Sequence, residues 1–364
     1  MTRLRDALVG LRVVMAVAVA LGLGSILILA TGADPVKAYA ALVHEALFDY
    51  WGLSNTIVKT SPILLASLAV MVPLRAGVYN IGGEGQIYIG GLFGTLAALH
   101  LPTLPSMIAI PTALMCAMLG GALWASIAGI LKAWRGINEV IVTLLMNYIA
   151  IHVVSFAVSG PMIASGAPYP YSDEIPEQYR LPLLMPQTDA HIGIIFGLVA
   201  AGVIAFIFAR TATGLSLDIV GKSPRAARYA GLNVKTHIVA SMASGGMLAG
   251  LAGGIEVLGL KYRLFHLFSP GYGFDGVVAA FIANANPAFA PLSALFLGAL
   301  KSGASVMQRA AGVEGTVVDA IVGLVVILVA ASLAWKGDLL GGLIEGFGLK
   351  SMPADQVNPT ERQS

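Results

Sequence analysis

Charge is scarce in this sequence. Asp, Glu, Lys and Arg make up 11% of its 364 residues, against roughly 25% in a typical soluble domain. Hydrophobic residues make up 57%. That balance excludes an ordinary soluble fold, because a chain of this size cannot hide so much apolar surface from water. A lipid surrounding removes the problem. The formal net charge is +2, too small for the long-range field that nucleic acid or an acidic partner would need. Cysteine is nearly missing. The single Cys116 lies in an apolar run, which excludes an internal disulfide and a cysteine-based metal centre. Catalytic signatures are missing too. There is no GxxxxGKS or GxxxxGKT phosphate loop, so the chain does not hydrolyse ATP by itself, and there is no GxSxG elbow. The six histidines, at 44, 100, 152, 191, 237 and 266, form no HExxH pair or dense ligand cluster. No catalytic residue and no metal ligand is assigned.

Glycine is plentiful, with 43 residues, which suits helices that pack closely in lipid. A bilayer crossing needs about 20 mostly apolar residues. Such windows fall near 13–31, 58–74, 86–101, 107–131, 138–160, 191–209, 238–258, 268–284, 289–308 and 317–335. The expected fold is therefore all-α, a polytopic membrane protein with about ten transmembrane helices, some short or broken. The third window is short and follows Gly82, Gly83 and Gly85. The eighth opens at Ser269-Pro270-Gly271 and ends at Asn286-Pro287. Short segments interrupted by glycine or proline point to a transport pathway. The basic start, with Arg3, Arg5 and Arg12, resembles a signal peptide. Val13–Ala30 is long enough to span, however, and no clear cleavage site follows, so it reads as an uncleaved first helix.

Lys and Arg near the span ends set the orientation. The side of the N-terminus holds Arg3, Arg5, Arg12, Arg75, Lys132, Arg135, Arg210, Lys222, Arg225, Arg228, Lys235 and Lys336. The opposite side holds Lys37, Lys59, Arg180, Lys261, Arg263 and Arg309. Twelve against six favours cytoplasmic N- and C-termini. Loop 161–190 is then external, and 353–364 is a polar tail.

Four constellations stand out. The first is the loop from Arg210 to His237, the longest cytoplasmic connection. Within it Ser223–Ala230 is a short helix candidate, with Ser223 as cap, Pro224 at the first position and Gly231 past the end. It is too short to be stable alone. It is either a basic loop that sets topology or a docking helix for a cytoplasmic partner. The second is Asn80 to Gln86, where Gly82, Gly83 and Gly85 flank Glu84. A carboxylate near hydrocarbon marks a functional site or caps the next helix. In the third, Asn138 and Glu139 open a span, and Thr143 and Asn147 share one face. Asn147 either bonds to a neighbouring helix or lines a polar pathway. The fourth, Gly271 to Gly276, joins Tyr272 and Phe274 to Asp275. It reads as an interfacial belt or as a stacking surface for a flat substrate.

Four segments carry a resemblance. NIGGEGQIYIGG at 80–91, NEVIVTLLMNYIA at 138–150, GKSPRAARYAGLNVKTHI at 221–238 and GYGFDGVVAAFIANANP at 271–287 occur in one order. In that order they resemble the permease subunits of ATP-binding-cassette importers, in the branch for ribose-type sugars, branched-chain amino acids and nucleosides. The spelling NIGGEGQ, the TLLMNYIA run and the long 161–190 insertion look most like the larger of two paired permeases in nucleoside importers. The resemblance implies a transmembrane domain at 58–335 with a coupling loop at about 210–237. Residues 1–57, an extra region on which the resemblance says little, read from the sequence itself as a basic cytoplasmic start, a first helix and an external segment, and 336–364 as a cytoplasmic tail.

It further implies that Gly221, Lys222, Ser223, Pro224, Arg225, Ala226, Ala227, Arg228, Tyr229, Ala230 and Gly231 form a coupling helix seated in the ATPase subunit. Arg225 and Arg228 would pair with acidic groups there, and Ala226, Ala227, Tyr229 and Ala230 would pack. Asn80, Glu84, Gln86, Asn147, Phe274 and Asp275 become pathway candidates. No cofactor belongs to this chain, since ATP and Mg would sit in the partner ATPase. The implied partners are that ATPase, a second and shorter permease, an external substrate-binding lipoprotein and the lipid of a bacterial inner membrane, with no nucleic acid. Alternating access would carry nucleosides inward, or in a second reading a simple sugar such as ribose or galactose. Two other classes remain: an ion-coupled carrier using Glu84, Glu139, Glu256 or Asp275, and an intramembrane enzyme.

Overall fold

The structure, a computed structural model, describes residues 2–102 and 104–334. The expected tail at 336–364 lies outside the described residues. Among those described there is no sheet, and the β contacts are two isolated bridges, Tyr171 with Phe265 and Leu183 with His191.

The chain begins with α1 (Thr2–Ala30), α2 (Pro35–Leu47), α3 (Tyr50–Arg75), α4 (Gly83–His100), α5 (Ser106–Arg135) and α6 (Glu139–Ser159). Next come α7 (Gly193–Arg210), α8 (Ala212–Lys222), α9 (Pro224–Tyr229) and α10 (Val234–Glu256). It ends with α11 (Tyr272–Ile282), α12 (Ala290–Ala311) and α13 (Gly315–Ala334). Each of the ten expected crossings falls on one helix: α1, α3 to α7, and α10 to α13. Six helices are long and apolar enough to span a bilayer: α3, α5, α6, α7, α10 with the π-helical turn that follows it, and α12. Helix α11 has 11 residues. At 1.5 Å per residue it covers about half of a hydrocarbon core.

Local signals start these helices. Asp34 accepts from the amides of Val36 and Lys37 and opens α2. Asp49 accepts from Trp51 and Gly52 and opens α3. Asn138 accepts from Val140 and Ile141 and opens α6. Two boundaries differ from expectation. The basic start is already helical from Thr2. Helix α3 begins at Tyr50, so the 57/58 division falls inside one helix.

Helices α3, α4 and α10 form the centre. Every residue of α3 from Thr60 to Pro73 is buried. Helix α10 lies along α5 with backbone touching backbone: a Cβ on Gly250 would stand 3.0 Å from the Cα of Gly121. Small residues permit this approach where lipid gives no hydrophobic drive. The packing repeats. Helix α5 lies along α10, and α12 along α3; α4 packs on α10, and α11 on α3. Five crossings separate the start of α3 from the start of α10, so the second set runs in the opposite sense. Inverted sets with broken helices are an arrangement that transporters use.

Candidate functional site

The break before α4 is a strap of seven residues, 76–82. It leaves α3 through Gly77, whose φ is +75. Side-chain bonds hold the strap to its neighbours. The Asn80 amide donates to the carbonyl of Ala69 at 3.2 Å and to Gln86 Oε1 at 3.0 Å. Gln86 Nε2 returns a bond to Asn80 Oδ1 at 2.9 Å. Asn147, near the middle of α6, ties both sides of the break. Its Nδ2 donates to the carbonyl of Ile81 at 2.9 Å, and its Oδ1 accepts from the amide of Gly85 at 2.8 Å. Asn80, Gln86 and Asn147 are almost completely buried. These bonds replace the helical ones that the break removes, which is the condition for irregular backbone at membrane depth. Glu139 holds the strap's other end, pairing with Lys132 at 2.7 Å and accepting from the amide of Tyr79 at 3.3 Å.

A second strap comes from the opposite end. Helix α10 relaxes into the π-helical turn Val257–Lys261. Residues 262–271 then descend, with Tyr262 and Leu267 at φ of 53 and 55. Strain of this kind persists only where the surroundings impose it. Here the 161–192 segment imposes it. Ser172 and Leu264 exchange two bonds, each of 3.0 Å. The amide of Ile175 donates to Tyr262 at 2.8 Å, and that of Leu181 to Leu258 at 3.0 Å. Glu174 bridges Arg180 at 2.6 Å and Arg263 at 2.9 Å. The Arg263 hydrogen bond and the Arg180 charge hold its carboxyl below the usual carboxylate range. The 161–190 insertion is thus an ordered cap.

The straps meet inside the bundle. Glu84, 2% exposed, accepts at Oε2 from the amide of Gly273 at 2.7 Å. That amide belongs to the first turn of α11, where helical donors have no partner and a carboxylate is favoured. A side chain at 273 would collide with the backbone of Glu84. Behind them Tyr88 Oη donates to the carbonyl of Ser269 at 3.3 Å. Asp275 pairs with Lys301 of α12 at 2.5 Å, and Lys59 Nζ donates to the carbonyl of Lys301 at 2.8 Å. Glu256 is buried at the start of the π turn, with Lys261 Nζ at 3.9 Å.

Four of the pathway candidates, Asn80, Glu84, Gln86 and Asn147, therefore form one buried junction. Asp275 joins it through α11. Phe274 points away and is 43% exposed. Tyr272 is buried, so it offers no stacking face. The sequence marked Ser269 and Gly273 only as parts of an interrupted segment, without a role, and Lys301 was missed. Lys301 was findable, since a cation inside an apolar run is expensive and needs a partner.

The basic end carries the docking candidate. Segment 211–237 holds two helices where one was expected. Thr211 caps α8, and Ser223 caps α9 by accepting from the amide of Ala226 at 3.2 Å. Gly231, at φ +78, follows the last turn. Arg225, Ala226, Arg228 and Tyr229 are exposed, Tyr229 to 94%. Ala227 is buried and anchors α9 to the chain. Helix α8 is braced by Arg75–Asp218 at 3.2 Å and Asp218–Lys222 at 2.7 Å.

Known proteins share this sequence widely. The glucose ABC transporter permease protein TsgB13 of Haloferax volcanii is 32% identical over 96% of this chain and 94% of its own length. The guanosine ABC transporter permease protein NupP of Bacillus subtilis is 35% identical over 87% of this chain and 92% of its own. The nucleoside ABC transporter permease protein NupB of Lactococcus lactis is 29% identical over 85% and 87%. The family described as the permease component of branched-chain amino acid transport systems matches residues 52–330. That stretch runs from the first turn of α3 into α13 and includes both straps and the docking segment. This chain belongs to that family of ABC transporter permeases.

Proposed function

We propose that the chain moves nucleosides inward through a bacterial inner membrane as one of two permeases in an ATP-driven importer. The observation that carries this reading is the pairing of an exposed docking helix at the basic end with a buried junction of two broken helices. ATP and Mg are held by a separate ATPase subunit, which receives α9; this chain has no phosphate loop of its own. An external lipoprotein receptor delivers substrate at the 161–192 cap. The second permease is a shorter paralogue, in keeping with the resemblance to the larger of two paired permeases. The twelve-to-six bias of Lys and Arg supports cytoplasmic termini.

The guanosine and nucleoside permeases among the relatives support the substrate class. The glucose permease, which matches almost the whole chain, favours a simple sugar as the second reading. Uptake by cells expressing the complete system separates the two. Labelled guanosine uptake that needs the ATPase and is competed by uridine but not by glucose or ribose is the expected result. Competition by glucose or ribose alone transfers the assignment to sugars. Uptake that persists without the ATPase overturns the importer reading.

A further inference from the structure

The importer must carry movement from its docking segment to the interior of the bundle, and one backbone contact joins that segment to the first strap. Gly221, at the end of α8, rests on the turn that ends α3. A Cβ on Gly77 would lie 3.1 Å from the Cα of Gly221, and one on Gly221 would collide with the carbonyl of Arg75. Two glycine backbones therefore touch without intervening side chains. Gly77 is held at φ +75, so any other residue there is strained as well as crowded. The contact is clamped on one side by Arg75, whose Nε stands 3.2 Å from Asp218 of α8. The same guanidinium lies over the Phe208 ring of α7, 5.2 Å from its centre. On the other side His237 Nε2 and Ser216 Oγ, 3.2 Å apart, tie α8 to α10.

Beyond Gly77 the strap is tethered at each of its last four residues. Tyr79, Asn80, Ile81 and Gly82 are each hydrogen-bonded to α3, α4 or α6, or within the strap itself. Two residues later Glu84 grips the first turn of α11. A segment tethered at successive residues transmits a shift where a loose loop would dissipate it.

We propose that the Gly77–Gly221 contact, clamped by Arg75 and Asp218, is the joint through which docking-segment movement reaches the Glu84–Gly273 junction. This rests on the importer reading. Arg75 and Asp218 are positioning residues, since they act on the strap and touch neither substrate nor ATP.

The test uses the full complex of both permeases, ATPase and receptor in proteoliposomes. Three quantities are measured: co-purification of the ATPase, its hydrolysis rate, and substrate moved per ATP. Arg75→Gln, Asp218→Asn and Gly77→Ala are expected to retain the ATPase and its basal hydrolysis. They are expected to lower substrate moved per ATP by about fivefold or more, a coupling of ordinary allosteric size. The exchange Arg75→Asp with Asp218→Arg is expected to recover most of that loss, which a general weakening of the fold would not allow. Asp218→Asn and Arg75→Gln are partly exposed changes, so they report even where Gly77→Ala does not fold. Wild-type transport per ATP in both overturns the joint. Loss of the ATPase from both also overturns it, because the pair would then serve docking itself. ATP-independent uptake by the unaltered complex would instead overturn the importer reading beneath it.

Discussion

Single residues carry the irregular backbone of this protein. Asn147 is the clearest case, because its two amide atoms satisfy one backbone group on each side of the first break. Removing it leaves the buried N–H of Gly85 unpaired, at about 1–3 kcal/mol for such a group, and the partly buried C=O of Ile81 without its donor. Asn147→Ala is therefore expected to reduce the purified protein's melting temperature by several degrees. Asn147→Asp retains the acceptor for Gly85 but loses the donor to Ile81. Glu84 makes the same argument at the second break. Glu84→Gln keeps an acceptor for the Gly273 amide, whereas Glu84→Ala leaves that donor orphaned in the bundle. The expected order of thermal stability is wild type, then Glu84→Gln, then Glu84→Ala. Equal melting of Gln and Ala variants would show that the Gly273 bond adds nothing.

At the level of elements, the sequence announced α9 more clearly than its surroundings. Ser223, Pro224 and Gly231 occupy the positions that start and stop a helix, and the structure uses all three. Helix α8 was not legible, because ATGLSLDIVGK has weak periodicity and its partners, Arg75 and His237, are distant in sequence. Burial within α9 was also invisible, since Ala226 and Ala227 are identical as letters but opposite in environment. That difference yields a prediction. Ala226→Glu should leave the protein in the membrane and abolish substrate uptake by spoiling the docking face. Ala227→Glu should instead reduce the amount of folded protein, because it places an unpaired carboxylate where the side chain is completely buried. Immunoblots of membranes beside uptake separate the two. Equal behaviour of the variants would mean that α9 has no distinct docking face.

Across the whole molecule, legibility followed the range of the interaction. Ten apolar windows marked ten helices, because a bilayer crossing is a local property of about 20 residues. The straps were legible as interruptions, through Gly82, Gly83 and Gly85 and through Ser269-Pro270-Gly271. That they meet was not, because Glu84 and Gly273 are 189 residues apart and nothing in either segment names the other. The cap was hidden for the same reason: Ser172 finds Leu264 across 92 residues.

The same scale holds the question of sidedness. The cap and the docking segment lie at opposite ends of the helices, so under the proposed function only one orientation can serve both the receptor and the ATPase. Tyr169 on the cap is 73% exposed and Tyr229 on α9 is 94% exposed. Cys116 is the only native thiol, so a Cys116→Ala background makes each position uniquely reactive. Tyr169→Cys is expected to react with a membrane-impermeant maleimide on intact cells. Tyr229→Cys is expected to react only after the membrane is opened, and more slowly when the ATPase is present. Labelling of Tyr229→Cys on intact cells would turn the molecule over and place the docking segment where no ATP is available, removing the basis for an ATPase partner at α9.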